Sequence, residues 1–262
     1  MGLLPTELIG SIFSFLTHDL ETLELCSAAH PFFSLLAERY LYYDILVNTT
    51  NRGKVSKLGT QLAQKPRFLR YPRTLEFRDS AFISIPQLVQ EVVSIVSMIP
   101  RMTNLLSLTL SVKTSGRGSL FANPDFISAL QTCLQQSRIQ QVSLCNVHGF
   151  PLTVLDYGQS IRHLTLLDCI AKTEPRSEVP PQLLERLVLR SDYDLEVHTW
   201  IIGRMANLKF LSFHTRDMDH WGTFPGLLAL CSGSLAGLHI YSISNVCTQS
   251  PCDIFLELTH AS

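Results

Sequence analysis

One six-residue pattern governs this chain: an apolar residue, two of any kind, a second apolar residue, one of any kind, and a third apolar residue. It appears as Leu105-x-x-Leu108-x-Leu110, Ile139-x-x-Val142-x-Leu144 and Ile161-x-x-Leu164-x-Leu166. Leu184-x-x-Leu187-x-Leu189, Leu208-x-x-Leu211-x-Phe213 and Leu235-x-x-Leu238-x-Ile240 follow. A weaker copy, Pro72-x-x-Leu75-x-Phe77, precedes them. Successive middle positions lie 33, 34, 22, 23, 24 and 27 residues apart. The alternation at the end of each copy makes a short strand with one face inward. The apolar residue three positions earlier packs beneath the turn that enters the strand. No unit hides that face alone, so the units must stack. The three anchors of a unit contribute roughly 1.5–3 kcal/mol each when fully buried, and only neighbouring units bury them.

Steps of 22 to 27 residues fall in the range of leucine-rich repeats, and the two longer steps leave room for an extra helical turn or two. Asn123-Pro124 caps and opens a helix carrying Phe126, Ile127, Leu130 and Leu134. Ser84 and Pro86 open a similar one through Leu88, Val92, Val93 and Val96. Residues 198–205 and 224–231 suit shorter helices. The prolines at 175, 180 and 181 make 173–182 extended. After Ile240 the chain offers a helical stretch over 251–260 and no evident closing strand, so an exposed sheet edge is expected there. These units resemble the irregular leucine-rich repeats of fungal and other eukaryotic F-box proteins. That resemblance implies an α/β solenoid, a curved parallel sheet with outer helices. A regular asparagine or cysteine at the usual turn position is missing; Cys169 and Asn146 come nearest.

The first forty residues have a different period. Pro5 opens a helix with Leu8, Ile9, Ile12, Phe13, Phe15 and Leu16. Asp19 is a natural cap for a second helix, with Glu21 in its first turn and Leu20, Leu23, Leu25 and Cys26 following. His30-Pro31 breaks the chain before a third helix striped by Phe32, Leu35, Leu36 and Leu41. The apolar residues of the first helix cover more than one stripe, and three helices this short cannot hide them all. Leu4-Pro5-x-Glu7-Leu8, then Ile12, then Leu16-x-x-Asp19-Leu20, resembles the F-box, a three-helix adaptor-docking motif. Many F-boxes carry a basic residue and a tryptophan near the third helix, where this chain has Ala28-Ala29-His30-Pro31-Phe32. The resemblance implies docking to the Skp-type adaptor of a cullin–RING ubiquitin ligase through Leu4, Pro5, Ile12, Phe15, Leu16 and Leu20. The alternative is that such helices only cap the repeat array, and both roles can hold on different faces. Residues 1–42 are therefore read as an F-box-like head and 43–262 as the solenoid, entered through a first strand at 43–47.

With strands stacked about 4.8 Å apart, the residues between the anchors form columns on the concave face. The first reads Ser107, Gln141, His163, Arg186, Phe210, Gly237. The second reads Thr109, Ser143, Thr165, Val188, Ser212, His239, and the third Ser111, Cys145, Leu167, Arg190, His214, Tyr241. The later units group His163, Arg186, Arg190, Phe210, His214, His239 and Tyr241, the residue types that anchor protein interfaces. This patch is the expected seat of a protein client, in a substrate-recognition subunit that carries no catalytic residues; the alternative is ordinary solvated surface.

The remaining chemistry is sparse. A formal charge of −1 gives no general steering toward nucleic acid or anionic membrane. No eighteen-residue apolar run is present, residues 226–241 being broken by Ser232, Gly233, Ser234 and His239. Residues 1–7 lack the basic start of a secretory signal. Seven cysteines at irregular spacing, with no C-x-x-C pair, suit a reducing compartment, cytosol or nucleus. No cofactor is implied. The histidines lack metal-ligand spacing and a carboxylate column, so no metal is expected. Two rivals remain: an interaction scaffold unconnected to ubiquitylation, and a cysteine hydrolase using Cys145 with His163, which share a face. The eight basic residues Arg52, Lys54, Lys57, Lys65, Arg67, Arg70, Arg73 and Arg78 stand against one acid, Glu76. They read as a solvated outer helix and loop rather than a nucleic-acid surface.

Overall fold

Each copy of the six-residue pattern ends in a strand. The computed structural model describes residues 5–16, 19–79, 86–113, 120–171, 183–190, 200–215, 224–242 and 252–257. The strands are β1 (Asp44–Asn48), β2 (Thr74–Asp79), β3 (Ser107–Val112), β4 (Gln141–Cys145) and β5 (His148–Phe150). There follow β6 (His163–Leu167), β7 (Ile170–Ala171), β8 (Arg186–Arg190), β9 (Phe210–Thr215), β10 (Gly237–Ser242) and β11 (Cys252–Glu257). The main sheet runs β1-β2-β3-β4-β6-β8-β9-β10-β11, in strict chain order. Its first eight strands are parallel, so the fold is mixed α/β.

Register follows from the repeat. Ile45, Leu75, Leu108, Val142, Leu164, Leu187, Leu211 and Leu238 pair in one row across the eight strands, and all are buried. Val47, Phe77, Leu110, Leu144, Leu166, Leu189, Phe213 and Ile240 form a second buried row. A slip of one residue would turn both rows to water. The leading anchors Leu105, Ile139, Ile161, Leu184, Leu208 and Leu235 are buried too.

Helices cover the core face. The helix α1 spans Thr6–Phe15, α2 Leu20–Ala29, α3 Pro31–Leu41, α4 Arg52–Gln64, α5 Pro86–Met98, α6 Pro124–Gln136 and α7 Phe224–Cys231. The side chain of Asn123 accepts from the Asp125 N–H at 2.9 Å, with Pro124 in the first turn of α6, as the sequence predicts. After β4 the longer helices give way to a 3-10 turn, Leu152–Tyr157, because the 22-residue step leaves no room for thirteen helical residues. Residues 200–202 are helical, within the short helix expected there. The segment 173–182, expected to be extended, lies outside the described residues.

The far end departs from expectation. In place of a helix over 251–260, β11 pairs antiparallel with β10, Glu257 opposite Gly237 and Cys252 opposite Ser242. Ile254 and Leu256, two residues apart, take register positions opposite Ile240 and Leu238. The ladder gives the edge of β10 hydrogen-bond partners, which a helix would leave to water. A second small ladder, β5 with β7, was also not foreseen.

Asn146 and Asp168 each follow a strand directly, and both adopt positive φ, 55° and 51°. Asparagine and aspartate tolerate that region best among residues with a side chain. The sharp turn sends Val147 and Cys169 inward, and the Cys169 thiol donates to the Leu144 carbonyl at 3.3 Å. Cys169 thus ties one unit to the preceding strand, at the turn position the sequence singles out.

Candidate functional site

Two surfaces gather the residues the sequence marks. The first is the helical head. The Asp19 side chain accepts from the N–H of Thr22 at 3.0 Å and from its hydroxyl at 2.7 Å, capping α2. Those two bonds hold the Asp19 carboxyl below its ordinary range. Nδ1 of His30 accepts from the Phe32 N–H at 3.1 Å and caps α3, with Pro31 in its first turn. The head core is small. Phe13, Leu23 and Ala37 are buried, with Phe13 lying 6.1 Å from Phe33 and 6.4 Å from Tyr40 between ring centres. The Tyr40 hydroxyl donates to the Gly10 carbonyl, closing α3 on α1.

What those helices leave outside is larger. Phe15 is 86% exposed, Ile12 and Leu8 52% each, and Leu20 53%. Leu8, Ile12 and Phe15 stand at i, i+4 and i+7, which places them on one face of α1. Leu25, Leu35 and Phe32 add further exposed apolar surface on α2 and α3. Of the residues the resemblance marks for docking, Pro5, Ile12, Phe15 and Leu20 are exposed. Leu16 is half-buried and packs against the head's own core. Leu4 lies outside the described residues. Leu8, which belongs to the motif but not to the residues marked for docking, is exposed as well, and its helical spacing from Ile12 was the available signal.

The head meets the sheet through other groups. Arg67 donates to the buried Glu38 carboxylate at 2.7 Å, and Tyr42 stacks on Phe68 at 4.2 Å between ring centres. Burial, then the nearby Glu38 and Glu24, pushes the Tyr42 hydroxyl up. None of these contacts uses the Leu8–Ile12–Phe15 face.

The second surface is the sheet face turned away from the core, where all three expected columns are realised residue for residue. Ser107, Gln141, His163, Arg186, Phe210 and Gly237 pair in succession. Arg186 is exposed, and its guanidinium lies 4.5 Å from the centre of the Phe210 ring. His163 and Arg190 are half-buried, and Arg190 Nε stands 3.7 Å from an Asp168 carboxylate oxygen. In the second column His239 Nδ1 lies 3.4 Å from Ser212 Oγ. His214 and Tyr241 keep their register places in the third column. The patch is therefore contiguous in register across four strands, β6 and β8 to β10.

The same register separates Cys145 from His163. His163 pairs with Gln141, four residues along β4 from Cys145, or about 13 Å of strand. Burial pushes the Cys145 thiol up, with Glu76 and Asp168 adding to it. Both effects oppose a thiolate–imidazole pair. No group of three or more histidine, cysteine or acidic side chains among the described residues is placed to hold a metal ion. No described helix is long and apolar enough to cross a membrane.

The basic stretch lies on α4 and the turns that follow it. Arg52, Lys54, Lys57, Lys65, Arg70 and Arg73 are exposed, while Arg67 pairs with Glu38 and Arg78 grips Glu76 at 2.9 and 2.6 Å. One ionic feature escaped the sequence. Asp156 and Arg204 form a buried ion pair, Arg204 Nε donating to Asp156 at 3.1 Å. The guanidinium lies 3.8 Å from the centre of a Trp200 ring and donates to the Trp200 carbonyl. Burial raises the Asp156 carboxyl, partly offset by Arg204, and lowers the Arg204 guanidinium. Forty-eight residues separate the partners, so no local motif announces them.

Compared with known proteins, the chain matches no protein-family model and no curated protein.

Proposed function

We propose that this chain is a substrate-recognition subunit of an SCF-type cullin–RING ubiquitin ligase, with an F-box-like head on an irregular leucine-rich-repeat solenoid. The head docks a Skp-type adaptor and the repeats hold a protein client. The observation that carries this reading is the apolar face of α1, with Leu8, Ile12 and Phe15 exposed together; Leu20 of α2 is exposed as well. Fully burying such a side chain contributes roughly 1.5–3 kcal/mol, and a contiguous exposed apolar face of this kind marks an interaction site. The sequential parallel sheet, with steps of 22 to 34 residues, supports the repeat reading.

In this account the chain performs no bond chemistry. It raises the effective concentration of client lysines near a charged conjugating enzyme carried by its partners. The work is done in a cytosolic or nuclear setting, where its cysteines stay reduced. Co-purification of the full chain with a Skp-type adaptor tests the proposal, with Ile12→Asp/Phe15→Asp as the paired variant. The expected result is capture by the native chain and loss of capture in the variant. A folded native chain that captures no adaptor supports the scaffold reading instead.

A further inference from the structure

The first column of the outward sheet face contains an arginine held in position with no acid of its own among the described residues. Arg186 opens β8 and is exposed, with its guanidinium lying 4.5 Å from the centre of the Phe210 ring on β9. The ring can lie there because the next residue in the row is glycine. A Cβ at Gly237 would stand 3.0 Å from Cδ2 and 3.4 Å from Cε2 of Phe210. Gly237 is buried beneath that ring although it has no side chain to hide. A glycine, a flat aromatic ring and a guanidinium thus follow one another across three strands.

The described acids nearby face other cations. Glu185, adjacent in sequence, faces Lys209 at 3.5 Å, and Asp168 lies beside Arg190. The next acidic register position along the row is Glu257, three strands from Arg186 and about 14 Å away. His163 occupies the same row on the other flank. The result is an oriented donor fork on an apolar shelf, flanked by an imidazole.

We infer that this site binds an acidic segment of a partner protein, with a glutamate or aspartate carboxylate taken by Arg186. The inference rests on the reading of the sheet face as the client surface and names the chemistry of that client. A guanidinium presents paired N–H donors that match a carboxylate. Its stacking on Phe210 removes much of the rotamer freedom that usually weakens an exposed pair. Charge complementarity selects the occupant: the row offers a cation and donors, and Val188 beside it in β8 suits the aliphatic stem of an acidic side chain.

Fluorescence anisotropy with the full chain tests this, using a labelled, end-capped decapeptide of alternating glutamate and alanine. The glutamate peptide is expected to bind, and its glutamine counterpart to bind at least tenfold more weakly, a loss of one charge-assisted contact. Arg186→Gln should weaken glutamate-peptide binding about tenfold. Arg186→Lys should restore less than half of that loss in free energy, because an ammonium keeps the charge but not the planar fork. Gly237→Val, tolerated in a strand, should displace the ring and weaken binding with Arg186 intact. Changing Arg52, Lys54 and Lys57 together to glutamine should leave affinity unchanged. Failure of the glutamate peptide to bind, equal binding by Arg186→Gln, or loss caused by the α4 triple change would overturn the assignment. Adaptor capture is a separate readout, so failure of the head to dock leaves this result intact, and the reverse holds too.

Discussion

The head and the sheet use leucine and phenylalanine in opposite ways. In the sheet, two rows of anchors from Ile45 to Ile240 are buried, and the residues between them are polar or half-exposed. In the head, three apolar side chains are buried among the described residues, while Leu8, Ile12, Phe15, Leu20, Leu25, Phe32 and Leu35 are exposed. Repetition explains the difference. Each strand finds an identical neighbour to cover its inward face, whereas three short helices enclose too little volume for the apolar surface they carry. Exposed leucines scattered singly mean little, but a contiguous helical face calls for a partner.

The contrast breaks most visibly in the core. Phe213→Ala should cost about 3–5 kcal/mol in urea unfolding, the range for emptying a buried aromatic site. Phe13→Ala removes the centre of the much smaller head cluster, and its effect should stay local. Hydrogen exchange should then rise across 6–41 while the β3 and β4 amides keep native protection. Equal loss of protection throughout would show the two regions to be one cooperative unit.

The buried pair sharpens the comparison next. Asp156→Ala leaves Arg204 buried without its acid and should destabilise by about 3 kcal/mol, measured by the same unfolding curve. Asp156→Leu with Arg204→Met should recover most of that loss, because burial opposes the charged form of both partners.

Smaller effects follow from pH. The Asp19 carboxyl is depressed in the folded head, so its stabilising bonds are present above the unfolded value of 3.8 and are lost as pH falls through the folded value. Head helicity should decline below about pH 4, and Asp19→Asn, a cap that does not titrate, should flatten that decline in circular dichroism. Burial pushes the thiols of Cys133 and Cys169 up to about 12. Neither should react with a thiolate-selective reagent at pH 8 until the chain unfolds, as peptide mass mapping would show.

The sheet was legible because its information is local and repeated. Each pattern copy carries its own strand, and equal offsets within copies set the register, so Arg186 falls beside Phe210 without any long-range signal. Asn123-Pro124 marked α6 through the same local chemistry. β11 was misread because a short apolar run such as 254–256 fits a helix as well as a strand, and only the open edge of β10 decides between them. The Asp156–Arg204 pair needed spatial neighbours forty-eight residues apart. On the head, helix phase puts Leu8, Ile12 and Phe15 on one exposed face, while Leu16 packs half-buried against the head core.

Calorimetric titration of the full chain with a purified Skp-type adaptor, at two temperatures, tests the role of that outward face most directly. Binding with a negative heat-capacity change is expected. Phe15→Asp should abolish it while shifting unfolding by less than about 0.5 kcal/mol, since the ring is a surface group. A folded native chain that releases no binding heat, or a Phe15→Asp chain that binds as well as the native one, would contradict the account.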